Sequence, residues 1–217
     1  IILGASGGPD GGATQCFVVR PEGRRDLQSV CVDAGAGAGQ ISHMIARYGT
    51  YSNSKMIESF YANDMEPSEK YFDPRAVVEF GFPKFITSHL AHKEPGFNTR
   101  MKTLEIYSGI KEYYITHAHL DHVSAMILNS PLAYEGEECS GDTKKIWGLT
   151  FTVEAIKNHL FNDVIWPDLA GCDVKRFQFG TLNNKESHQC DTFPGWDIIP
   201  LKVNHGFTAR NTQKRIY

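Results

Sequence analysis

The sequence lacks the features that mark membrane, secreted and nucleic-acid-binding proteins. Gly, Pro and charged residues interrupt every hydrophobic run, and none approaches the roughly 20 apolar residues of a membrane-spanning helix. The 22 Lys and Arg are outnumbered by 25 Asp and Glu, so a net charge of −3 offers no basic field to nucleic acid. The five cysteines are odd in number and include no Cys-x-x-Cys pair. We therefore expect no disulfide scaffold and favour a reducing compartment, the cytoplasm.

The size and composition are those of an ordinary globular domain. The 217 residues are 41% hydrophobic and 22% charged, which suffices for one α/β domain with its own core. Ile1 lies within a predicted strand and is not an initiator Met, so the lack of a signal peptide says little about location. A strand is predicted at 16–19, a helix at 40–48, and a loop at 183–195 in which His188 is expected to be exposed.

The strongest chemical signal is a run of metal-competent side chains within six consecutive residues. These side chains are His117, His119, Asp121 and His122. Residues 111–116 are rich in aromatic and β-branched side chains and predict a strand, and the apolar run 123–128 predicts the start of a helix. The cluster is therefore expected on a strand-to-helix loop, where neutral imidazole suits Zn²⁺ and a carboxylate can hold a second cation.

A surface cluster of histidines without a role is the alternative interpretation. It is favoured for any single histidine, but three histidines and an aspartate at this spacing favour a metal site. His89 and His92 illustrate the weaker case, because no third ligand is evident near them. We interpret that pair as structural or exposed.

The pattern His-x-His-x-Asp-His after an apolar strand resembles the metallo-β-lactamase superfamily. That resemblance implies an α/β fold, a four-layer αββα sandwich around a one- or two-zinc site. Residues 117–131 resemble the narrower signature of the class II cyclic-nucleotide phosphodiesterases, the group of the yeast low-affinity cAMP phosphodiesterase. Ala125 stands where that family usually carries Gly or Ser, and since Ala is nearly as small, close helix packing is expected to survive.

The resemblance implies ligands for two divalent cations, expected to be Zn²⁺. One cation would be held by His117, His119 and His205, where residues 198–205 are read as a strand running into the third histidine. The other would be held by Asp121 and His122, which are also the predicted catalytic residues.

Two glycine-rich segments and one aspartate complete the resemblance. Residues 1–12 are similar to the superfamily's opening strand and glycine-rich turn, and 30–35 to its strand ending in Asp-x-Gly. The Asp of that strand supports the metal loop from beneath, and this supporting role is carried over to Asp33. The glycines of 35–39 could cradle a phosphate, but the spacing is not that of a dinucleotide site and no P-loop Lys follows. Tight turns and close backbone approach near the metal loop are the preferred interpretation.

The resemblance also sets expectations for the domain. Residues 1–217 would form a single metallo-β-lactamase-like domain, truncated on its C-terminal side and carrying an insertion at about 52–111. The superfamily places a bridging Asp and a further His after the third histidine, and residues 206–217 contain neither. The second metal site would then be incomplete, and the chain part of a longer protein. Residues 146–150 and 158–168 resemble the family's strand and helix after the metal loop.

The implied activity is hydrolysis of 3′,5′-cyclic nucleotides, cAMP and also cGMP, to nucleoside 5′-monophosphates by a metal-activated hydroxide. The expected partner is a small-molecule nucleotide, with neither nucleic acid nor membrane. Another hydrolase of the same fold, such as a tRNA 3′-processing endonuclease, a thioester hydrolase or a lactonase, is the first alternative. A non-catalytic zinc-binding domain is the second. The lack of a basic patch disfavours the nuclease, and the presence of every ligand expected within the chain disfavours the non-catalytic domain.

Overall fold

A computed structural model describes residues 1–8, 13–22, 24, 26–48, 103–134, 143–170 and 176–204. His205, His89, His92 and most of the predicted insertion lie outside these residues. The described part has a mixed α/β fold, as the sequence predicts.

Six strands form one mixed sheet in which the strand order follows the order of the chain. They are β1 (Ile2–Gly4), β2 (Cys16–Val19), β3 (Ser29–Val32), β4 (Ile110–Tyr114), β5 (Lys144–Leu149) and β6 (Phe177–Leu182). β1 to β3 pair antiparallel, whereas β4, β5 and β6 continue the sheet in parallel from β3. Because parallel neighbours end at the same edge of a sheet, the segments that follow β3, β4 and β5 start close together.

Helices follow each of those three strands. α1 (Ala38–Tyr48) comes after β3, α2 (Leu120–Leu128) after β4, and α3 (Thr150–His159) after β5. A 3₁₀ helix, Ser130–Tyr134, extends α2, and residues 103–109 are helical and run directly into β4. None of the helices among the described residues combines the length and hydrophobicity that a bilayer crossing requires.

One face of the sheet packs against the helices. Cys31, Tyr113 and Ile146 are neighbours across β3, β4 and β5, and all three are buried. They join Ile41 of α1 and Val123 of α2 in the main hydrophobic core. Side chains alternate between the two faces of a strand, so the next residue along each strand points away from the helices.

The other face carries a smaller apolar cluster. Tyr114 and Trp147 pack there against a two-stranded hairpin, β7 (His188–Gln189) and β8 (Asp197–Ile198), and against Phe193 in its turn. The sheet is therefore covered by helices on one side and by strand and turn residues on the other.

Glu112 connects the hairpin to the sheet through a buried carboxylate. One oxygen accepts hydrogen bonds from the Thr192 backbone N–H (2.6 Å), from the Thr192 hydroxyl and from Cys190 Sγ. The other accepts from the Tyr114 hydroxyl (2.8 Å) and from Trp147 Nε1 (3.0 Å). Burial alone would raise the pKa of Glu112, but these hydrogen bonds outweigh it and leave the pKa below its usual range.

The predicted strand at 16–19 coincides with β2, and the strand before the histidine cluster is β4. Cys16 and Cys31 are buried free thiols on adjacent core strands, with their sulfur atoms 3.4 Å apart. His43 and His159, both assigned to helices, lie in α1 and α3.

Several predictions are wrong. The strand expected from residue 198 ends at Ile198, and residues 199–203 have no regular structure because Pro200 has no N–H for a strand ladder. The helix expected at 158–168 is α3, which ends at His159. The side chain of Asn162 then accepts the backbone N–H groups of Val164 and Ile165 and forms a turn. His188, expected to be exposed in a loop, lies in β7 and is half-buried, with its ring centroid 4.1 Å from that of Trp147.

We predict that Glu112→Gln lowers the free energy of unfolding by about 1–3 kcal/mol, the cost of an unsatisfied buried donor. Each carboxylate oxygen faces an N–H that cannot rotate away, from the Thr192 backbone or from the Trp147 indole. A glutamine amide can accept from only one of them in either orientation. Urea denaturation measures the loss, with Glu105→Gln, an exposed glutamate, as the matched control. Equal stability of the two variants would contradict the prediction.

Candidate metal centre

The histidine cluster lies where β4 gives way to α2. The helix begins at Leu120, three residues before the predicted start, so Asp121 and His122 occupy its first turn and only His117 and His119 lie on the connecting loop. His117 is buried. The loop is at the edge of the sheet where β3, β4 and β5 end, which brings residues from all three connections towards it.

Three imidazole rings converge at this position. The His117 ring centroid is 4.5 Å from that of His119 and 4.0 Å from that of His122. His117 Nε2 and His119 Nδ1 are 3.1 Å apart, and His122 Nε2 lies 3.7 Å from Asp121 Oδ2. The four side chains singled out from the sequence therefore do come together.

Asp33 lies directly behind this cluster. Its Oδ1 accepts hydrogen bonds from the backbone N–H (2.8 Å) and the hydroxyl (2.9 Å) of Thr116, and its Oδ2 is 2.8 Å from His122 Nδ1. When Nδ1 donates to this carboxylate, His122 presents the lone pair of Nε2 on the side of Asp121. Asp33 adopts the left-handed backbone conformation (φ 55°), which Asp tolerates better than most residues.

Asp121 is held by the glycine-rich turn near the N-terminus. The backbone N–H of Gly8 donates to Asp121 Oδ2 at 3.1 Å, and Gly8 has a positive φ of 74°. This hydrogen bond, together with the nearby imidazoles of His122 and His117, lowers the pKa of Asp121. The carboxylate is thus kept in the ionised form that binds a cation.

The turn after β3 packs directly against the first turns of α2. A Cβ added to Gly35 would lie 1.8 Å from the carbonyl oxygen of Asp121, and one added to Gly37 would lie 2.9 Å from Cβ of Ala125. The expected role of these glycines in close backbone approach is confirmed. The small side chain at position 125 belongs to the same contact.

The donor atoms can be compared with what a metal ion requires. Two nitrogen ligands at about 2.0–2.1 Å from a tetrahedral Zn²⁺ lie roughly 3.3 Å apart. The 3.1 Å between His117 Nε2 and His119 Nδ1 is close to that separation. Within the described ranges no group of three or more His, Cys, Asp or Glu side chains is arranged so that it could hold a metal ion. The predicted third nitrogen ligand, His205, is outside those ranges. Only His117 and His119 can therefore be compared with the spacing of zinc ligands, and the distance between their nitrogens fits that spacing.

Two residues that hold the site together, Thr116 and Gly8, are not predicted from the sequence. The sequence pattern predicts only that Thr116 ends a strand, but its hydroxyl contacts Asp33, His117 Nδ1 (3.1 Å) and His122 Nδ1 (3.3 Å). A hydroxyl residue just before the first histidine was the available signal. Gly8 was recognised as part of a turn, and nothing local links it to a residue 113 positions away.

Comparison with known proteins gives concordant matches. The family model of the class-II cAMP phosphodiesterases matches residues 30–213. The chain is 41% identical over 214 residues to 3′,5′-cyclic-nucleotide phosphodiesterase 1 of Saccharomyces cerevisiae, covering 96% of this chain and 57% of that protein. It is 28% identical over 223 residues to the 3′,5′-cyclic-nucleotide phosphodiesterase of Candida albicans, covering 99% of this chain and 48% of that protein.

A solved structure agrees with these matches. The crystal structure of unliganded yeast PDE1 is similar with a TM-score of 0.77 and 39% sequence identity, over 99% of this chain and 58% of that one. The chain thus spans between 48% and 58% of the length of these relatives.

We predict that Gly35→Ala destabilises the protein by about 1–3 kcal/mol, the usual cost of overpacking. The new methyl group would meet backbone, the carbonyl of Asp121, so the first turn of α2 must move. Gly39→Ala is the matched control because it lies in α1 with open space around the added Cβ, where Ala is the better helix former. Urea denaturation compares the two, and a Gly35 variant as stable as the Gly39 variant would refute the close contact.

Proposed function

The chain belongs to the class-II cAMP phosphodiesterases, and from that premise we propose that the whole protein hydrolyses 3′,5′-cyclic nucleotides to nucleoside 5′-monophosphates, with cAMP and also cGMP as substrates. The observation that carries the proposal is the convergence of three imidazoles and a carboxylate at the end of β4. This cluster occupies residues 117–122, within the part of the chain that the family model matches.

The proposed cofactors are two divalent cations, Zn²⁺ by the chemistry of the donors. His117 and His119 would hold one, with His205 as the third ligand, and Asp121 and His122 would hold the other. Bound cations of this kind lower the pKa of a coordinated water to about 7 and neutralise charge on phosphoryl oxygens.

The protein's own side chains would prepare the site for this chemistry. The Asp33 carboxylate contacts both the His122 ring and the Thr116 backbone, so it fixes the position of the ring relative to the loop. Gly8 holds Asp121 by a backbone hydrogen bond that needs no side-chain rearrangement. Such preorganisation is what keeps ligands in place when an anionic substrate arrives.

The proposed architecture is the four-layer αββα sandwich, with residues 1–217 in a single domain and an insertion at about 52–111. The described residues supply a helical layer, a sheet and, on the far face, the hairpin β7–β8. Beyond β8 the side chains of Ile199, Leu201 and Val203 are exposed on the same side and border an apolar cleft with Leu182. A second sheet packed there would bury them.

The two alternatives are less well supported. Family membership favours cyclic-nucleotide hydrolysis over tRNA 3′-end processing and over thioester or lactone hydrolysis. A non-catalytic zinc-binding domain would have no need to keep Asp121 and His122 in position beside His117 and His119. The proposed partner is the small cyclic nucleotide alone.

The variants His119→Ala and Asp121→Asn test the function in the full-length protein. Each change should reduce cAMP hydrolysis by more than about 100-fold, the upper loss seen when only an outer partner of a metal ligand is removed. Hydrolysis is measured by AMP release, and metal content by mass spectrometry. His43→Ala, an exposed histidine in α1, is the matched control and should keep wild-type activity and metal. Wild-type protein that releases no AMP from cAMP, or a fully active His119→Ala, would overturn the proposal.

Asp33→Asn should weaken cation binding by about 10–100-fold without removing a proposed ligand. An asparagine whose amide oxygen accepts from Thr116 turns its NH₂ towards His122 Nδ1. Nδ1 must then accept a hydrogen bond, which leaves the ring proton on Nε2, where a cation would bind. Competition with a chromophoric chelator measures the affinity. Asp163→Asn is the matched control, because Asp163 shares the left-handed backbone conformation (φ 60°) and, among the described residues, accepts a backbone N–H from Asp168 and no imidazole N–H. Equal affinities in the two variants would show that the Asp33–His122 contact does not tune the site.

A further inference from the structure

A separate cleft of about 340 Å³ opens beside His119. One wall is the metal loop, with Ala118 and His119, and the other is one face of α3. The α3 side chains that line it include Phe151, Glu154, Ala155 and Asn158. A volume of this order is at the small end of ligand pockets and is enough for a nucleotide base.

The α3 wall is a consequence of helical periodicity. Residues 151, 154, 155 and 158 are spaced i, i+3, i+4 and i+7, so they share one face. The opposite side chains, Thr152, Val153 and Ile156, are buried. This burial fixes the rotation of the helix and turns the lining face away from the core.

Phe151 is the unusual residue of this face. Its large aromatic side chain is 51% exposed and lines a cleft next to the histidine cluster. Glu154 and Asn158 are exposed on the same face and supply a carboxylate and an amide. An aromatic ring, a hydrogen-bond acceptor and an amide that both donates and accepts are the groups that recognise a purine base.

We propose that this cleft binds the purine base of the nucleotide substrate, an inference that rests on the proposed function. The base stacks on the Phe151 ring, Glu154 accepts a hydrogen bond from its exocyclic amino group, and Asn158 pairs with its ring edge. Ala118 and Ala155 leave space for the flat ring. His119 closes the end of the cleft that leads to the histidine cluster, so the phosphate of a nucleotide bound in this way lies towards the candidate metal ligands.

Two further clefts suit a base less well. One, of about 470 Å³ beside His117, has chiefly aliphatic walls, with Thr116 and His117 at its border. A purine placed there would bury most of its polar edge against groups that cannot hydrogen-bond it. The other, of about 390 Å³, shares Phe151 and Glu154 but is lined by none of the candidate metal ligands. The cleft at α3 offers polar partners as well as an aromatic surface.

Binding of AMP and of ribose 5-phosphate to the full-length protein isolates the contribution of the base. Isothermal titration calorimetry should show that wild-type protein binds AMP more tightly than ribose 5-phosphate, which lacks the base. Phe151→Ala should reduce that preference by at least about 5-fold, the low end for base–aromatic stacking, whereas Phe151→Tyr should retain it. Val164→Ala is the control, since Val164 is an exposed apolar residue that lines none of these three clefts. An unchanged preference in Phe151→Ala would overturn the proposal.

Kinetics with two substrates tests the polar contacts. Glu154→Ala should raise the KM for cAMP several-fold and leave the KM for 3′,5′-cyclic IMP unchanged, because that nucleotide has no amino group on its base. Glu154→Gln keeps an acceptor oxygen and should restore most of the affinity for cAMP. An equal increase in the KM for both substrates would show that Glu154 does not contact the base. Failure of wild-type protein to hydrolyse either nucleotide would refute the proposed function, and the calorimetry would still decide on the base site independently.

Discussion

The carboxylate of Asp33 is the contact on which the candidate site depends. It joins the end of β3 to the loop after β4 by accepting from Thr116 and His122, which lie 83 and 89 residues further along the chain. Parallel pairing of β3 with β4 brings these segments to the same edge of the sheet, and Asp33 then fixes their relative position. The neighbouring glycine turn must pack against the first turn of α2 for this to happen, which is why no side chain fits at Gly35.

The second constraint acts on the opposite face of the sheet. Glu112 lies on β4, five residues before His117, and its carboxylate collects donors from Thr192, Tyr114 and Trp147. A buried charge is tolerated here because several donors surround it, and its removal would leave them unpaired. The strand that leads to the histidine cluster is therefore held from both sides: by apolar packing against the helices and by a buried polar network against the hairpin.

The parts of the site that follow from the sequence are local. A run of four metal-competent side chains between a strand and a helix needs no long-range information, and the resemblance to a known family added Asp33. The contacts that escaped prediction join distant segments, such as Gly8 with Asp121 and Glu112 with Thr192. Periodicity also failed where another force dominates: Pro200 interrupts the apolar run after β8, and Asn162 turns the chain just beyond α3. The ligand roles themselves, and His205 above all, stay predictions.

The charge balance near the site gives an independent reason to expect cations. The substrate of the proposed reaction is an anion, the protein carries a formal charge of −3, Asp121 lies within the cluster and Asp33 lies directly behind it. These two carboxylates disfavour the approach of a phosphodiester when no cation is bound between them. Two divalent cations held by these side chains would reverse the sign of the local field. The features that make the cluster unfavourable for binding an anion directly are therefore the ones that suit it to bind metal first.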